Sequence, residues 1–227
     1  AKKLETADKL AVESAGYIME GMRREPSRIE AQVKGFKALT ELIKVGQGEA
    51  SHGLSQAQKE IMRLDRETGA LTLAVRRFAS EEDFAVRALK LIGRLGSWAE
   101  TQDSEQKLAV LRDLSWADLM KQVLQVHARS VEVQREGVYA MGMWAWSDVK
   151  GNVQKLAALF CSMGVIEKAV AALPCRLSWR LTQTLYFFIK ASVEVADAVI
   201  RANGVAAMLE VLSDPRSSAL DTSHSLA

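Results

Sequence analysis

Apolar side chains recur every three or four residues along most of the chain, and few prolines interrupt them. Phe84, Leu91 and Leu95 illustrate this spacing, which places apolar groups on one face of an α-helix. No alternating apolar and polar runs joined by a tight-turn sequence indicate a β-hairpin. The chain is therefore predicted to be all-α. Its three prolines are Pro26, Pro174 and Pro215.

Turn-forming residues divide this pattern into helices. We place boundaries at Pro26-Ser27, at Gly46, at the acidic helix start 80–83 and at Ser147-Asp148. The result is about a dozen helices of roughly 9–18 residues with short connections. No linker divides them, so we expect one helical domain over residues 1–213, followed by a Ser-rich tail over 214–227.

Composition narrows the class of protein. The 227 residues are 48% hydrophobic and 26% charged, with a formal net charge of +2, which excludes disorder along most of the chain and argues against a DNA-coating protein. No apolar run is long enough to span a membrane. Cys161 and Cys175 do not form a CxxC pair, so we expect reduced thiols in an intracellular, cytosolic-type compartment. Because the first residue is Ala1, we expect a processed or trimmed product, and the organelle is left open.

A nine-residue pattern of small, apolar and long side chains repeats along the sequence. It occupies residues 35–43, 88–96 and 137–145, and more loosely 184–192, at offsets of 53, 49 and 47 residues. A second segment, 164–174, is similar to 204–215. Small residues at Gly35, Ala88 and Gly137 are predicted to let helices approach closely. Repetition at such a period is typical of stacked helical repeats.

Together these segments resemble the armadillo repeat, with HEAT repeats as the nearest alternative and an irregular bundle as the alternative without repeats. The resemblance implies a right-handed α-solenoid of about 4 to 4.5 three-helix repeats. It also implies that the third helices line a concave groove. The third and seventh positions of the nine-residue pattern correspond to the Trp and Asn ladders of importin-α-like members. Those ladders are absent here, which argues against binding of nuclear-import cargo; the residues present are Lys37, Glu41, Lys90, Arg94, Tyr139, Met143, Tyr186 and Lys190.

This set is basic toward the N-terminal end and aromatic or thioether-rich toward the C-terminal end. Tyr, Met and Arg are enriched at recognition surfaces. We therefore predict a non-catalytic interaction scaffold or assembly subunit, which binds an extended or helical protein segment with acidic and apolar anchors. The alternative is a nucleic-acid-binding repeat that uses the same cations and tyrosines. Single charged positions on helices are otherwise ordinary solvated surface.

We find no sequence motif for catalysis. No phosphate-binding loop or nucleophile elbow occurs, and the histidines are too scattered for a metal site. We expect no enzyme activity, cofactor, metal or small-molecule substrate. His127 is predicted to be a partly buried, hydrogen-bonded residue and Trp144 a core residue, whereas Trp146 is a candidate exposed anchor. The tail is a candidate for docking in the groove, on the last repeat or on a neighbouring molecule.

Overall fold

The computed structural model describes residues 2–46, 56–96, 115–146 and 192–213. Between the last two ranges it also describes residues 161, 164, 166–167, 170, 185–186 and 188–190. Within these residues every regular element is a helix and no strand occurs, which confirms the predicted all-α class. None of the described helices is both long and apolar enough to cross a membrane.

The helices are numbered here in chain order. The first five are α1 (Lys2–Arg24), α2 (Ile29–Gly46), α3 (Gln56–Thr68), α4 (Ala70–Phe78) and α5 (Glu82–Gly96). The other continuous helices are α6 (Trp116–Val126), α7 (Val131–Trp146), α8 (Val193–Arg201) and α9 (Gly204–Ser213).

Several predicted boundaries lie at or next to observed ones. Helix α2 ends at Gly46, α5 begins at Glu82 and α7 ends at Trp146. Helix α1 is 23 residues long, so the predicted upper length was wrong for it. Its apolar face continues through two glycines, because Ala15, Met19 and Met22 all lie in the core.

Four helix–helix corners share one hydrogen-bonding pattern, and the first three of them follow the spacing of the nine-residue segments. In each, the backbone N–H of one residue donates to the carbonyl oxygen three residues earlier at 3.0–3.2 Å. The carbonyl oxygen of that same residue accepts a hydrogen bond from the backbone N–H four residues later. The first three corners are separated by the same 53 and 49 residues as the nine-residue segments, whereas the fourth, with Asn203 donating to Ile200, follows the third by 73 residues. In the first three, the donor–acceptor pairs are Arg28 to Glu25, Glu81 to Phe78 and Ser130 to His127.

Glycines allow close packing within the helical hairpins. A Cβ atom at Gly35 would overlap the side chain of Met22 on α1, and one at Gly137 would overlap Leu124 on α6. Ala88, at the equivalent position of α5, is fully buried. The predicted close packing is therefore observed at Gly35 and Gly137.

Helices α5 and α7 run parallel, side by side. Because α6 intervenes in sequence, this is not the antiparallel arrangement of a simple hairpin. Residue numbers increase in the same direction along both helices where they meet: Lys90 lies near Glu136, Gly93 near Ala140 and Gly96 near Trp144.

One apolar core holds the row of α2, α5 and α7 against the helices that pack beneath it. Helix α5 packs between α2 and α7, and the rings of Phe36 and Phe84 meet edge to face with centroids 4.8 Å apart. Helices α1, α3, α4 and α6 pack beneath this row, and α8 packs against α9. One apolar cluster extends through the described helices, including the fully buried Leu89 and Val199.

Candidate functional site

Six of the eight predicted groove residues lie on the row of neighbouring helices α2, α5 and α7. Each helix contributes two side chains four residues apart, which places them on the same helix face. The pairs are Lys37 and Glu41 on α2, Lys90 and Arg94 on α5, and Tyr139 and Met143 on α7.

Exposure of these side chains decreases from α2 to α7. Lys37, Glu41 and Lys90 are exposed, whereas the other three are half-buried. The close approach of α5 to α7 contributes to this difference, since Met143 Sδ lies 3.6 Å from the position that a Cβ on Gly93 would take. The α7 end therefore offers a half-buried aromatic ring and thioether, and the α2 end offers exposed charged groups.

Tyr186 and Lys190 form a pair of their own. Tyr186 is 50% exposed, and the Lys190 Nζ lies 5.6 Å from the centroid of its ring. An ammonium group at this distance is attracted by the electrons of the ring face. The pair presents a cation and an aromatic ring together on the surface.

The sequence prediction did not include a further set of charged side chains, one on each of α2, α5 and α7. Lys34, Arg87 and Glu136 each precede the nine-residue pattern by one position, so the same 53- and 49-residue offsets could have revealed them. Glu136 is 8% exposed, and its Oε1 lies 3.1 Å from Arg135 and 3.9 Å from Lys90. This carboxylate reduces the positive charge next to Lys90.

Ion pairs neutralise part of the positive charge along this row. On α5, Arg87 forms an ion pair of 2.9 Å with Asp83. On α2, neither Lys34 nor Lys37 has an ion-pair partner within the described residues, and both are exposed. The exposed lysines without an ion pair among the described residues therefore lie at the α2 end of the row, where the Glu41 carboxylate is also exposed.

A shallow depression of about 740 Å³ lies apart from this row, at the corner between α6 and α7. Two of its polar groups already have partners. His127 Nε2 bonds to the carbonyl oxygen of Ala79 at 2.7 Å, and the Ser130 hydroxyl donates to Glu82. Because a carbonyl only accepts, Nε2 carries the hydrogen. These bonds connect two successive corners, and they confirm the prediction that His127 is partly buried and hydrogen-bonded.

Cys161 is a free, half-buried thiol whose Sγ lies 3.7 Å from the carbonyl oxygen of Glu194. Burial, followed by the nearby Glu167 carboxylate, raises the pKa of this thiol above its usual value. Cys161 is therefore a weaker nucleophile than an exposed cysteine. No cluster of three potential metal ligands occurs in the part of the chain that the structure describes.

The structure tests the prediction made for Trp144 but not the one made for Trp146. Trp144 is fully buried, as predicted, and its Nε1 donates to the carbonyl of Ile92 at 3.1 Å. The side chain of Trp146 lies outside the described residues, as do Trp98, Cys175 and the tail 214–227.

Comparison with known proteins identifies no relative. No family model matches the chain, and neither the curated proteins nor the solved structures include a significant match.

Proposed function

We propose that this chain is a non-catalytic interaction scaffold, built as an armadillo-like α-solenoid, that binds a protein segment across α2, α5 and α7. The main observation in support is the parallel packing of α5 beside α7, together with corners that recur at the offsets of the sequence pattern. Parallel, non-consecutive helices are expected when three-helix repeats stack. Such stacking aligns equivalent side chains of successive repeats on one surface.

The charge distribution indicates what kind of segment would bind. Lys34 and Lys37 are exposed cations on α2, whereas α7 offers Tyr139 and Met143. An acidic residue would be placed over α2 and an apolar or aromatic residue over α7. Carboxylates such as Asp83 and Glu136 lie within or beside the row and would repel a continuous phosphate backbone, which favours a protein over a nucleic acid.

A displayed library of random peptides tests this function. Wild-type protein should enrich peptides that combine acidic and apolar residues. The variant with Lys34→Glu, Lys37→Glu and Lys90→Glu should lose them by about tenfold or more in affinity. A control with the same change in charge carries Arg76→Glu, Arg77→Glu and Arg129→Glu, which lie on exposed positions away from this row.

The control variant should bind the selected peptides as the wild type does, and thermal melts should show that both variants are folded. Failure to enrich any peptide, or equal binding by both variants, would contradict the proposal. Tight binding of single-stranded oligonucleotides that weakens steeply with salt would favour the nucleic-acid alternative instead.

A further inference from the structure

One position on the row of α2, α5 and α7 changes its sign of charge along the row. The residue directly before the nine-residue pattern is Lys34 on α2, Arg87 on α5 and Glu136 on α7. Lys34 is exposed and has no ion pair within the described residues, whereas Arg87 is half-buried and pairs with Asp83. Glu136 is buried. The position therefore changes from a solvated cation on α2 to a buried carboxylate on α7.

Two cations lie near the Glu136 carboxylate, but they do not reverse the charge at this end. Its Oε1 lies 3.1 Å from Nη2 of Arg135 and 3.9 Å from Nζ of Lys90. The same Arg135 guanidinium lies 4.0 Å from the Glu132 carboxylate. Glu132, Arg135 and Glu136 together carry one net negative charge. The α7 end of the row is consequently acidic beside its aromatic and thioether side chains.

Burial increases the influence of this carboxylate on its neighbours. Water and salt screen the field of an exposed ion within about 8 Å at physiological ionic strength. The side chain of Glu136 is 11% exposed, compared with 58% for Glu132, so its field is screened less. A buried ion pair is often no more stable than apolar side chains of similar volume. Stability alone therefore does not account for a carboxylate at this position.

The middle of the row does not distinguish the two ends of a bound segment, because Lys90 on α5 would attract an acidic residue from either direction. The outer helices do distinguish them. An acidic residue placed over Tyr139 would lie one helical turn from Glu136 and would be repelled. An acidic residue over α2 would instead meet the exposed cations Lys34 and Lys37.

Glu41 limits where on α2 that acidic residue can lie. Its carboxylate is exposed one turn after Lys37. The favourable place is therefore toward Lys34, on the side away from Glu41. Lys34 occupies the position on α2 that Glu136 occupies on α7. Attraction at one end and repulsion at the other thus act on the same line across the row.

We propose that Glu136 is a specificity-determining residue of this binding surface, which rejects acidic side chains at α7 and so fixes which end of the bound segment lies there. This inference rests on the proposed function. The segment that fits is acidic at one end only, over Lys34 and Lys37. Its other end is apolar without neighbouring acids, over Tyr139 and Met143. A segment that is acidic at both ends is excluded.

A matched pair of peptides tests this role by fluorescence anisotropy. The first is a peptide recovered from the wild-type selection, acidic at one end and apolar at the other. In the second, one neutral residue beside the apolar anchors is replaced by aspartate. Wild-type protein should bind the first about tenfold or more tightly than the second. Glu136→Gln should reduce this ratio to about threefold or less, because the repelling charge is gone.

Two further variants separate the charge of Glu136 from its packing. Glu136→Asp keeps the carboxylate and should keep the wild-type ratio. Glu67→Gln makes the same change in net charge at an exposed position on α3, away from the row, and should also keep it. A carboxylate with a purely structural role would give another result, because Glu136→Gln would then weaken both peptides equally. An unchanged ratio in Glu136→Gln would overturn the proposal.

Photochemical crosslinking of the wild type provides a measurement that does not depend on how the variants fold. A benzophenone group at the acidic end of the first peptide should be captured on α2, and one at the apolar end on α7. Capture of both ends on both helices would overturn the role of Glu136 while leaving the binding surface in place. Failure to recover any peptide, or equal binding by the variant with Lys34→Glu, Lys37→Glu and Lys90→Glu, would overturn the proposed function and this inference together.

Discussion

The indole Nε1 of Trp116 donates a hydrogen bond of 3.2 Å to the carboxylate of Asp65, 51 residues earlier in the sequence. Both residues are almost fully buried. The same carboxylate accepts bonds from the backbone N–H groups of Leu71 and Thr72 and from the Thr72 hydroxyl. Asp65 on α3 therefore caps the start of α4 and connects it to α6.

Replacement of Asp65 by alanine should lower the free energy of unfolding by about 3 kcal/mol, because it leaves several buried donors without an acceptor. Urea denaturation measures this change. Asp118→Ala is the matched control, since Asp118 is exposed on α6, and it should change stability by less than about 1 kcal/mol. In a double-mutant cycle, Trp116→Phe should reduce the additional effect of Asp65→Ala. Additive effects would show that the indole bond does not stabilise the fold.

Gly93→Ala should destabilise the protein although alanine favours helices. A Cβ at Gly93 would lie 2.8 Å from both Cα and Cβ of Ala140, so α5 and α7 would have to separate. The expected loss is about 1–3 kcal/mol in the free energy of unfolding. Gly21→Ala is the control, because nothing lies within 4 Å of a Cβ there. It should instead stabilise α1 by about 0.5–1 kcal/mol. Two melts that shift in the same direction would contradict the proposed close crossing.

Gln134→Leu should lower stability by about 2 kcal/mol. The Gln134 Nε2 donates to the carbonyls of Leu124 and His127 at 2.8 and 2.9 Å, which completes the hydrogen bonding at the end of α6. Gln122→Leu, on an exposed position of α6, provides the comparison and should be nearly neutral. Equal chemical-denaturation midpoints for the two variants would show that the bonds do not contribute. Gln32 makes the equivalent bonds at the end of α1, so Gln32→Leu should behave like Gln134→Leu.

Glu20 should titrate far below a typical glutamate. Hydrogen bonds from Arg23 and Arg24 lower its pKa from 4.5 to about 2. The folded state therefore binds the Glu20 proton more weakly than the unfolded state does. The contribution of the ionised Glu20 to stability is complete above pH 4.5 and is lost as the pH falls through about 2. Carboxyl NMR titration measures the midpoint directly. Arg23→Gln should move the midpoint upward, whereas an unchanged midpoint would show that the ion pair does not form in solution.

Local sequence patterns predicted the helices and several of their ends. Gly46 and the acidic start near Glu82 act within one helical turn, so the flanking residues alone indicate them. The recurring pattern predicted that Trp144 is buried and that Lys37 and Lys90 lie on the surface, whereas Tyr139, selected in the same way, is half-buried. It did not predict the 23 residues of α1, because glycines within an otherwise apolar stripe do not by themselves end a helix.

Spacing along single segments was enough to predict the helical class and which side chains share a helix face, because both follow from the helical period. The packing of the helices brings Asp65 to Trp116 and Glu136 to Lys90. The same packing leaves the apolar side chains of Val205 and Leu209 exposed on α9. Such relationships depend on how helices about 50 residues apart pack against one another, and no short-range pattern encodes that packing.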